Sequence, residues 1–369
     1  MGNLQNLVTL LKRVLELEAS DLHLTTDWFP VFRTHGKLIP DGDLKLSREV
    51  IFDLIDVMLS DRQKAIFKEK RQIDLGYSPP DSPDRFRVNA YMEMGKPSVV
   101  FRYLNNEFKS MEELRLPEQL SVIPKMKHGL VLVTGATGSG KSTTLATMLN
   151  EINLTRNEHM LLIEDPVEFV HTSNQSLIHQ REVHSDVDSF ADSLRAALRQ
   201  DPDVIMVGEM RDLETMKAAI TAAETGHLVF STLHTGDAVG VVDRLIGSFP
   251  GDEQEVARNR IAGALKAVIA QRLLPTVDGE GRAAALEILM VTPGVSNLIN
   301  SGKTQQIYSM MEGGKADGMQ TLEQSLLDLI KQRLIAQSEA MSHTRNPAVL
   351  QRLIEGAGIA KERVRRVRD

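Results

Sequence analysis

The chain has 369 residues, a formal net charge of −7, no cysteine, one tryptophan and 4% aromatic residues. That length implies two domains with sizeable cores, and the absence of cysteine excludes disulfides, thiolate zinc sites and a cysteine nucleophile while suiting a reducing compartment. The acidic balance gives no global attraction to nucleic acid or anionic lipid, and the scarce aromatics offer no evident base-stacking platform. No apolar run approaches the ~18 residues that a membrane span needs, and the start of the chain lacks a basic segment followed by an apolar block. The expectation is a cytoplasmic protein that binds no nucleic acid.

In chain order, Leu4, Leu7, Val8, Leu11, Val14 and Leu15 recur at spacings of three and four and predict an amphipathic helix over 3–18. Period-two alternation at 20–25 and 30–34 predicts strands, with turn chemistry at Gly36 and at Pro40-Asp41-Gly42-Asp43. Ser47 is placed to cap a second helix running through Ile51, Leu54, Ile55 and Met58 to Leu59. Short alternating strands follow at 73–77, 85–91 and 98–104, so residues 1–104 read as a small α+β domain. Within it Arg85, Arg87 and Arg102 fall on neighbouring strands, either as solvated strand edges or as arginine fingers aimed at a γ-phosphate. Residues 105–128, with Pro117 and Pro124, read as a connector carrying a short helix.

The apolar run Leu130-Val131-Leu132-Val133 then empties into Gly135-Ala136-Thr137-Gly138-Ser139-Gly140-Lys141-Ser142-Thr143, and a helical pattern follows. This is G-x-x-x-x-G-K-[ST] in the strand-loop-helix context that the motif requires. The glycines let backbone N–H groups wrap a polyphosphate, Lys141 carries a charge to the β- and γ-phosphates, Ser142 is a Mg²⁺ ligand, and the helix N-terminus adds its dipole. ATP with Mg²⁺ is the ligand this predicts.

Three more apolar runs end in polar tips: 160–163 in Glu164-Asp165, 204–207 in Gly208-Glu209, and 228–230 in Ser231-Thr232-Leu233-His234. Helical patterns separate them, the signature of a parallel sheet covered on both faces, whose ligands sit beyond the carboxyl ends of the strands. Glu209 is the candidate to orient or deprotonate water, and Glu164 is the second carboxylate, near the metal or its water shell. His227 and His234, seven apart across a strand, point to opposite faces, which disfavours a zinc pair. A histidine at a strand tip can instead hydrogen-bond a γ-phosphate, and His227 is equally read as a satisfied core histidine. Further on, Ile261, Leu265, Val268 and Ile269 are read as one helix, the Asp278-Gly279-Glu280-Gly281 turn as a β-hairpin, and Leu322, Leu326, Leu329, Ile330 and Ile335 as a helical tail. The basic run at 361–368 reads as a solvated end.

The loop at 135–143, Leu162-Ile163-Glu164-Asp165-Pro166-Val167-Glu168-Phe169, Asp203 through Asp212, and Ala223-Glu224-Thr225-Gly226-His227-Leu228 continuing to His234 together resemble the Walker A, Asp, Walker B and His boxes of the secretion-type hexameric ATPases. The whole chain resembles the type IV pilus retraction ATPase family (PilT/PilU), and Ser20-Asp21-Leu22-His23 and Arg85 through Ala90 extend the likeness toward the N-terminus. The resemblance implies a PAS-like domain at 1–104, a linker at 105–128 and a RecA-like ATPase domain at 129–369, assembled as a homohexamer with ATP at its interfaces. It makes Glu209 the catalytic glutamate and Glu164 its partner, His227 and His234 the His-box residues, and Arg85, Arg87 and Arg102 fingers offered across a subunit boundary. It also implies an inner-membrane pilus platform protein as partner, a peripheral place at that membrane through such partners, and a paralogous retraction ATPase as a possible companion. The PilT branch carries an Ala-Ile-Arg-Asn-Leu-Ile-Arg-Glu signature where this chain reads Gly294-Val295-Ser296-Asn297-Leu298-Ile299-Asn300-Ser301, a departure that leans toward the PilU-like branch. The functional expectation is an ATP-hydrolysing motor that powers or assists pilus retraction; the alternatives are a partner-dependent ring subunit with weak turnover of its own, and a RecA-like nucleic-acid translocase.

Overall fold

A computed structural model of the chain describes residues 2–42, 44–80, 82, 84–104 and 107–359, with side chains from residue 7 onward. The basic run at 361–368 lies outside the described residues. By compactness the chain divides into two units. One comprises residues 1–107, 163–172 and 180–193; the other comprises 108–162, 173–179 and 194–369.

The first unit is built on a six-stranded antiparallel sheet. Its elements are α1 (Gly2–Glu16), β1 (Asp21–Thr25), β2 (Val31–Thr34), β3 (Lys37–Pro40), α2 (Arg48–Met58), α3 (Asp61–Lys70), β4 (Gln72–Tyr77), β5 (Arg85–Glu93) and β6 (Lys96–Leu104), with strand order β3-β2-β1-β6-β5-β4. Alternation sends Phe86, Val88 and Ala90 of β5 into the core beside Leu7, Leu11 and Val14 of α1 and Leu54 and Ile55 of α2. Apart from Ala90, each such aliphatic or aromatic side chain contributes roughly 1.5–3 kcal/mol on burial. The same alternation turns Arg85 and Arg87 to the other face, and register sets Arg87 directly opposite Arg102. Ser47 caps α2 as its sequence predicts, accepting from the Val50 N–H. Two elements have weak signals in the sequence: β3 is exposed along its length, and α3 buries only Gln63 and Phe67, its start set by a capping box between Ser60 and Gln63.

A seven-stranded sheet of order β13-β12-β7-β11-β10-β8-β9 underlies the second unit, except that the ends of β8 and β9 and the start of α5 count with the first. Its strands are β7 (Gly129–Thr134), β8 (His159–Glu164), β9 (Leu177–Glu182), β10 (Val204–Val207), β11 (Leu228–Leu233), β12 (Leu265–Pro275) and β13 (Arg282–Met290). The helices are α4 (Lys141–Thr155), α5 (Phe190–Ala197), α6 (Leu213–Glu224), α7 (Ala238–Gly247), α8 (Gln254–Ala264), α9 (Pro293–Asn300), α10 (Ile307–Gly313), α11 (Leu322–Lys331), α12 (Gln337–His343) and α13 (Pro347–Gly356). Central strands β7, β10 and β11 are buried at every position, as the near-continuous apolar runs require of a sheet covered on both faces. β7 pairs in parallel with β11 and β12, and β10 pairs in parallel with β11.

One expectation is overturned. Leu265, Val268 and Ile269 do not continue the helix of Ile261: α8 stops at Ala264 and the chain runs on as β12, parallel to β7. Their spacing fits a helix, but pairing with the central strand buries this branched aliphatic run on a ladder, and tertiary context overrides the local period. Likewise α11 ends at Lys331, so Ile335 enters the same apolar cluster from the turn that follows. The hairpin is present, β12 and β13 pairing antiparallel from Ala267↔Met290 to Pro275↔Arg282. Among the described residues no helix is long and apolar enough to cross a membrane.

Candidate active site

At the end of β7, Thr134 is fully buried, and its hydroxyl donates to the Thr235 carbonyl (2.8 Å) and accepts from the Thr235 N–H (2.9 Å). The chain then turns through Gly135, Gly138 and Gly140 at φ of 146°, 78° and 86°, the region that favours glycine. A Cβ on Gly140 would stand 2.7 Å from Gln271 Nε2. Gln271, buried on β12, braces the loop from behind: its amide donates to the Ser139 carbonyl (2.8 Å) and its oxygen accepts from Thr144 of α4 (2.7 Å). Gly140 starts α4 without a side-chain cap, leaving the first-turn N–H groups for an anion.

Lys141 lies back on the loop, its ammonium donating to the Gly135 (2.9 Å) and Ala136 (3.1 Å) carbonyls. Ser142 and Thr143 follow in the first turn of α4. The Ser139 hydroxyl is buried with no hydrogen-bond partner. Residues 135–139, Gly236, Gln271, Arg272, Leu273 and His343 line a cavity of about 360 Å³. Glycines at positive φ round the cavity, an orphaned buried hydroxyl and an uncapped helix start all fit a polyphosphate. Among the described residues no cluster of three or more His, Asp or Glu could hold a metal ion by itself. The hydroxyl of Ser142 suits the alternative, a Mg²⁺ held mainly by phosphate and water.

Register places Val207 of β10, Ser231 of β11 and Leu132 of β7 side by side, so the tips of these strands leave the same edge of the sheet. Glu209, mostly buried, receives Arg211 Nε at 2.7 Å and faces His234 Nε2 at 3.3 Å. Its backbone is held to β11 on both sides, since Thr232 donates to the Gly208 carbonyl (2.6 Å) and the Met210 N–H donates to the Thr232 carbonyl (3.1 Å). His227 stands before β11, its Nδ1 2.8 Å from the Ala222 carbonyl. Six residues of strand at ~3.3 Å each separate it from His234. The two histidines therefore share no site within one chain.

In the first unit Glu164 is buried, accepting from the Glu168 N–H (3.3 Å) and from Gln180 Nε2 (3.1 Å). Burial pushes its carboxyl up to about 7, and those two bonds oppose the shift without cancelling it. Arg85 is engaged by Glu182 (2.6 Å) and by the Val167 carbonyl (3.0 Å). Arg87 is within 3.9 Å of Asp74 and 4.0 Å of Glu168, and Arg102 bonds Asp21 at 2.9 Å. Gln271, Arg272 and His343 around the loop cavity are residues that sequence reasoning does not reach as site residues. The polar pair Gln271-Arg272 within an otherwise apolar run is the one available signal, and it becomes readable only once β12 is known to be a strand beside the phosphate-loop strand.

A phosphate loop between a buried parallel strand and a helix, with a carboxylate at the tip of the next strand but one, defines a P-loop nucleoside triphosphatase of RecA-like α/β type, here preceded by a small α+β domain. The family of type II/IV secretion system proteins matches residues 5–354, and the chain belongs to that family of ATPases. It is 46% identical over 336 residues to a twitching motility protein of Neisseria gonorrhoeae, covering 89% of this chain and 90% of that one. It is 44% identical to the type IV pilus retraction ATPase PilT of Pseudomonas aeruginosa (89% and 95% covered) and 37% identical to the type IV pilus ATPase PilU of the same organism (90% and 87%). Among solved structures it superposes on the pilus retraction motor PilT with bound ADP at a TM-score of 0.85 and 41% identity, covering 93% of this chain and 98% of that one.

Proposed function

We propose that this protein is an ATP-hydrolysing motor of the type IV pilus machinery, one that powers or assists pilus retraction as a homohexamer. The supporting observation is the loop at 135–143 standing at the same sheet edge as the paired Glu209 and His234, in a chain similar over most of its length to proteins named for retraction and twitching motility. Its partner in this reading is the inner-membrane platform protein of the pilus, which keeps it peripheral to that membrane on the cytoplasmic side.

The residues perform a phosphoryl transfer to water by positioning and charge neutralisation. The loop N–H groups and the start of α4 receive the phosphates of ATP, and Lys141 exchanges its two carbonyl partners for the β- and γ-phosphates. Ser142 would hold Mg²⁺, which when bound would supply charge neutralisation at those phosphates. Glu209 orients the attacking water and takes its proton, held in place by Arg211 and His234. Glu164, kept partly protonated at neutral pH by burial, is the second carboxylate. Arg102, the most exposed of the three arginines, is the readiest finger toward a neighbouring subunit; Arg87 stands beside it, and Arg85 must first leave Glu182. His227, at the far end of β11, serves a place other than its own strand tips. Residues 1–104 are the PAS-like lever, 105–128 the linker and 129–369 the ATPase in this account.

Steady-state ATP turnover and solution mass, for the native protein and Glu209→Gln, test the reading. A hexamer whose turnover falls at least about 100-fold in the variant is the expected result. A native protein that binds ATP and assembles, yet turns over no faster than the variant, overturns the autonomous motor. That outcome selects the accessory subunit working beside a paralogous ATPase, a reading favoured by the residues of α9 and its C-cap, where Ser296, Asn300 and Ser301 stand in place of the two arginines and the glutamate of the PilT-branch signature.

A further inference from the structure

The loop between α12 and α13 is tied at both ends to groups that the chemistry above does not use. On one side, Glu323 of α11 is 1% exposed and gathers four donors: the Tyr308 hydroxyl (2.7 Å), the Thr344 hydroxyl (2.8 Å) and the N–H groups of Arg345 (3.3 Å) and Asn346 (3.2 Å). Burial by itself would raise this carboxyl, but the bonds from Tyr308, Thr344 and backbone N–H groups together outweigh it and hold Glu323 below the usual range, so it stays a charged anchor. On the other side, Arg345 reaches the turn that follows His234. Its guanidinium donates to the Gly236 carbonyl and lies 3.2 Å from Asp237 and 3.4 Å from the buried Glu287.

Those partners fix the start of α7. Asp237 caps that helix, and Glu287 accepts from the Ala238 N–H at 2.9 Å. Glu287 Oε2 has no hydrogen-bond donor, which leaves Arg345 as its compensating charge. The turn continues backward through Thr235, whose N–H and carbonyl both bond the Thr134 hydroxyl, the last residue before the phosphate loop. Arg272 closes the frame by donating to the His343 carbonyl at 2.8 Å, and Gly236, Arg272 and His343 are walls of the loop cavity.

We infer that Arg345 is a positioning residue for nucleotide binding: anchored by Glu323, it holds the Thr235–Asp237 turn, and through Thr134 the phosphate loop, in the shape that accepts a polyphosphate. It touches no reacting atom. The inference rests on the proposed ATPase reading and adds to it that the helices after β13 set ground-state affinity. Removing Arg345 therefore acts on nucleotide affinity and KM more than on kcat, because Glu209 and His234 keep their own partners.

The test measures the dissociation constant of a fluorescent ADP, together with KM and kcat for ATP. The variants are Arg345→Gln, Arg345→Lys, Glu323→Ala, the double variant Arg345→Gln/Glu323→Ala, and Arg352→Ala on the exposed side of α13 as a charge-loss control. Arg345 is about one-third exposed at its side chain, and burial lets Glu287 take up a proton once its partner is gone, so Arg345→Gln folds, and the conclusion stands on that variant if Glu323→Ala does not. The expected result is ADP affinity and KM weakened about tenfold in Arg345→Gln with kcat within threefold, partial recovery in Arg345→Lys, no change in Arg352→Ala, and a double variant no worse than the poorer single one. A native protein that binds ADP beside an Arg345→Gln variant whose affinity and KM are within twofold of it overturns the inference and leaves the ATPase reading intact. Fully additive losses in the double variant overturn it as well. A native protein that binds no ADP instead defeats the reading on which it rests.

Discussion

At the scale of single residues, Glu164 carries a pH dependence set by its burial. Its carboxyl is raised from 4.5 to about 7 by burial, so the folded chain binds more protons than the unfolded one between those values. Stability is greatest below the lower value and falls as pH rises through the upper one, by about 3 kcal/mol at 1.36 kcal/mol for each factor of ten. Glu164→Gln removes the titrating group and is expected to flatten that fall. Urea midpoints of native protein and variant converge near pH 5 and separate by pH 8, the variant being the more stable; parallel curves would show that Glu164 titrates like a solvated carboxylate. The same scale shows how little a motif says about occupancy. Lys141 and Arg85 are recognisable from their sequence contexts, yet Lys141 rests on loop carbonyls and Arg85 on Glu182.

At the scale of elements, the phosphate loop is a shape held by its surroundings. Gly140 sits at positive φ against the Gln271 amide, so Gly140→Ala meets both backbone strain and a contact that Gln271 relieves only by giving up its bond to Ser139. A loss of about 1–3 kcal/mol of stability is expected, with fluorescent-ADP binding abolished or weakened at least tenfold; native-like affinity in the variant would show that the loop tolerates a Cβ there. The strand β7 and the loop are legible in sequence because apolar run, glycine spacing and following helix agree with one another. β12 is not, because Leu265, Val268 and Ile269 satisfy a helical period, and only pairing with β7 decides for the strand. β9 is hidden for a related reason: its residues are largely polar, and its place as the last strand of the sheet supplies half the pairing that makes it a strand.

At the scale of the whole molecule, compact units do not follow sequence blocks. Residues 163–172 and 180–193 count with the first 107 residues. Glu182 is the buried hub of that grouping, accepting from the Gly76 N–H (3.1 Å), the Val167 N–H (3.2 Å) and Arg85. Removing one partner of a buried ion pair leaves the other uncompensated, so Arg85→Ala is expected to destabilise the first unit by about 3 kcal/mol. Arg102 is itself exposed, and its buried partner Asp21 keeps Ser20 and Arg33, so Arg102→Ala is expected to cost less, about 1 kcal/mol. Thermal unfolding followed through the first unit distinguishes them, and equal shifts would show that the Glu182 hub does not hold these segments.

The sequence by itself determined the nucleotide chemistry and the family of this protein. Phosphate binding needs glycines at set spacing, a lysine and a hydroxyl in consecutive positions, and a strand before them, and all of these are local in the chain. Tertiary structure alone decided what surrounds that loop. Gln271, Arg272, Gly236 and His343 come to the loop from distant stretches of the chain, and Glu323 and Arg345 come together because α11 and the loop after α12 fold onto one another. It also decided that His227 and His234 stand at opposite ends of one strand, and that Arg85 is held by a carboxylate 97 positions away. Such contacts depend on register, burial and the compensation of buried charge, which arise only when distant segments are packed side by side.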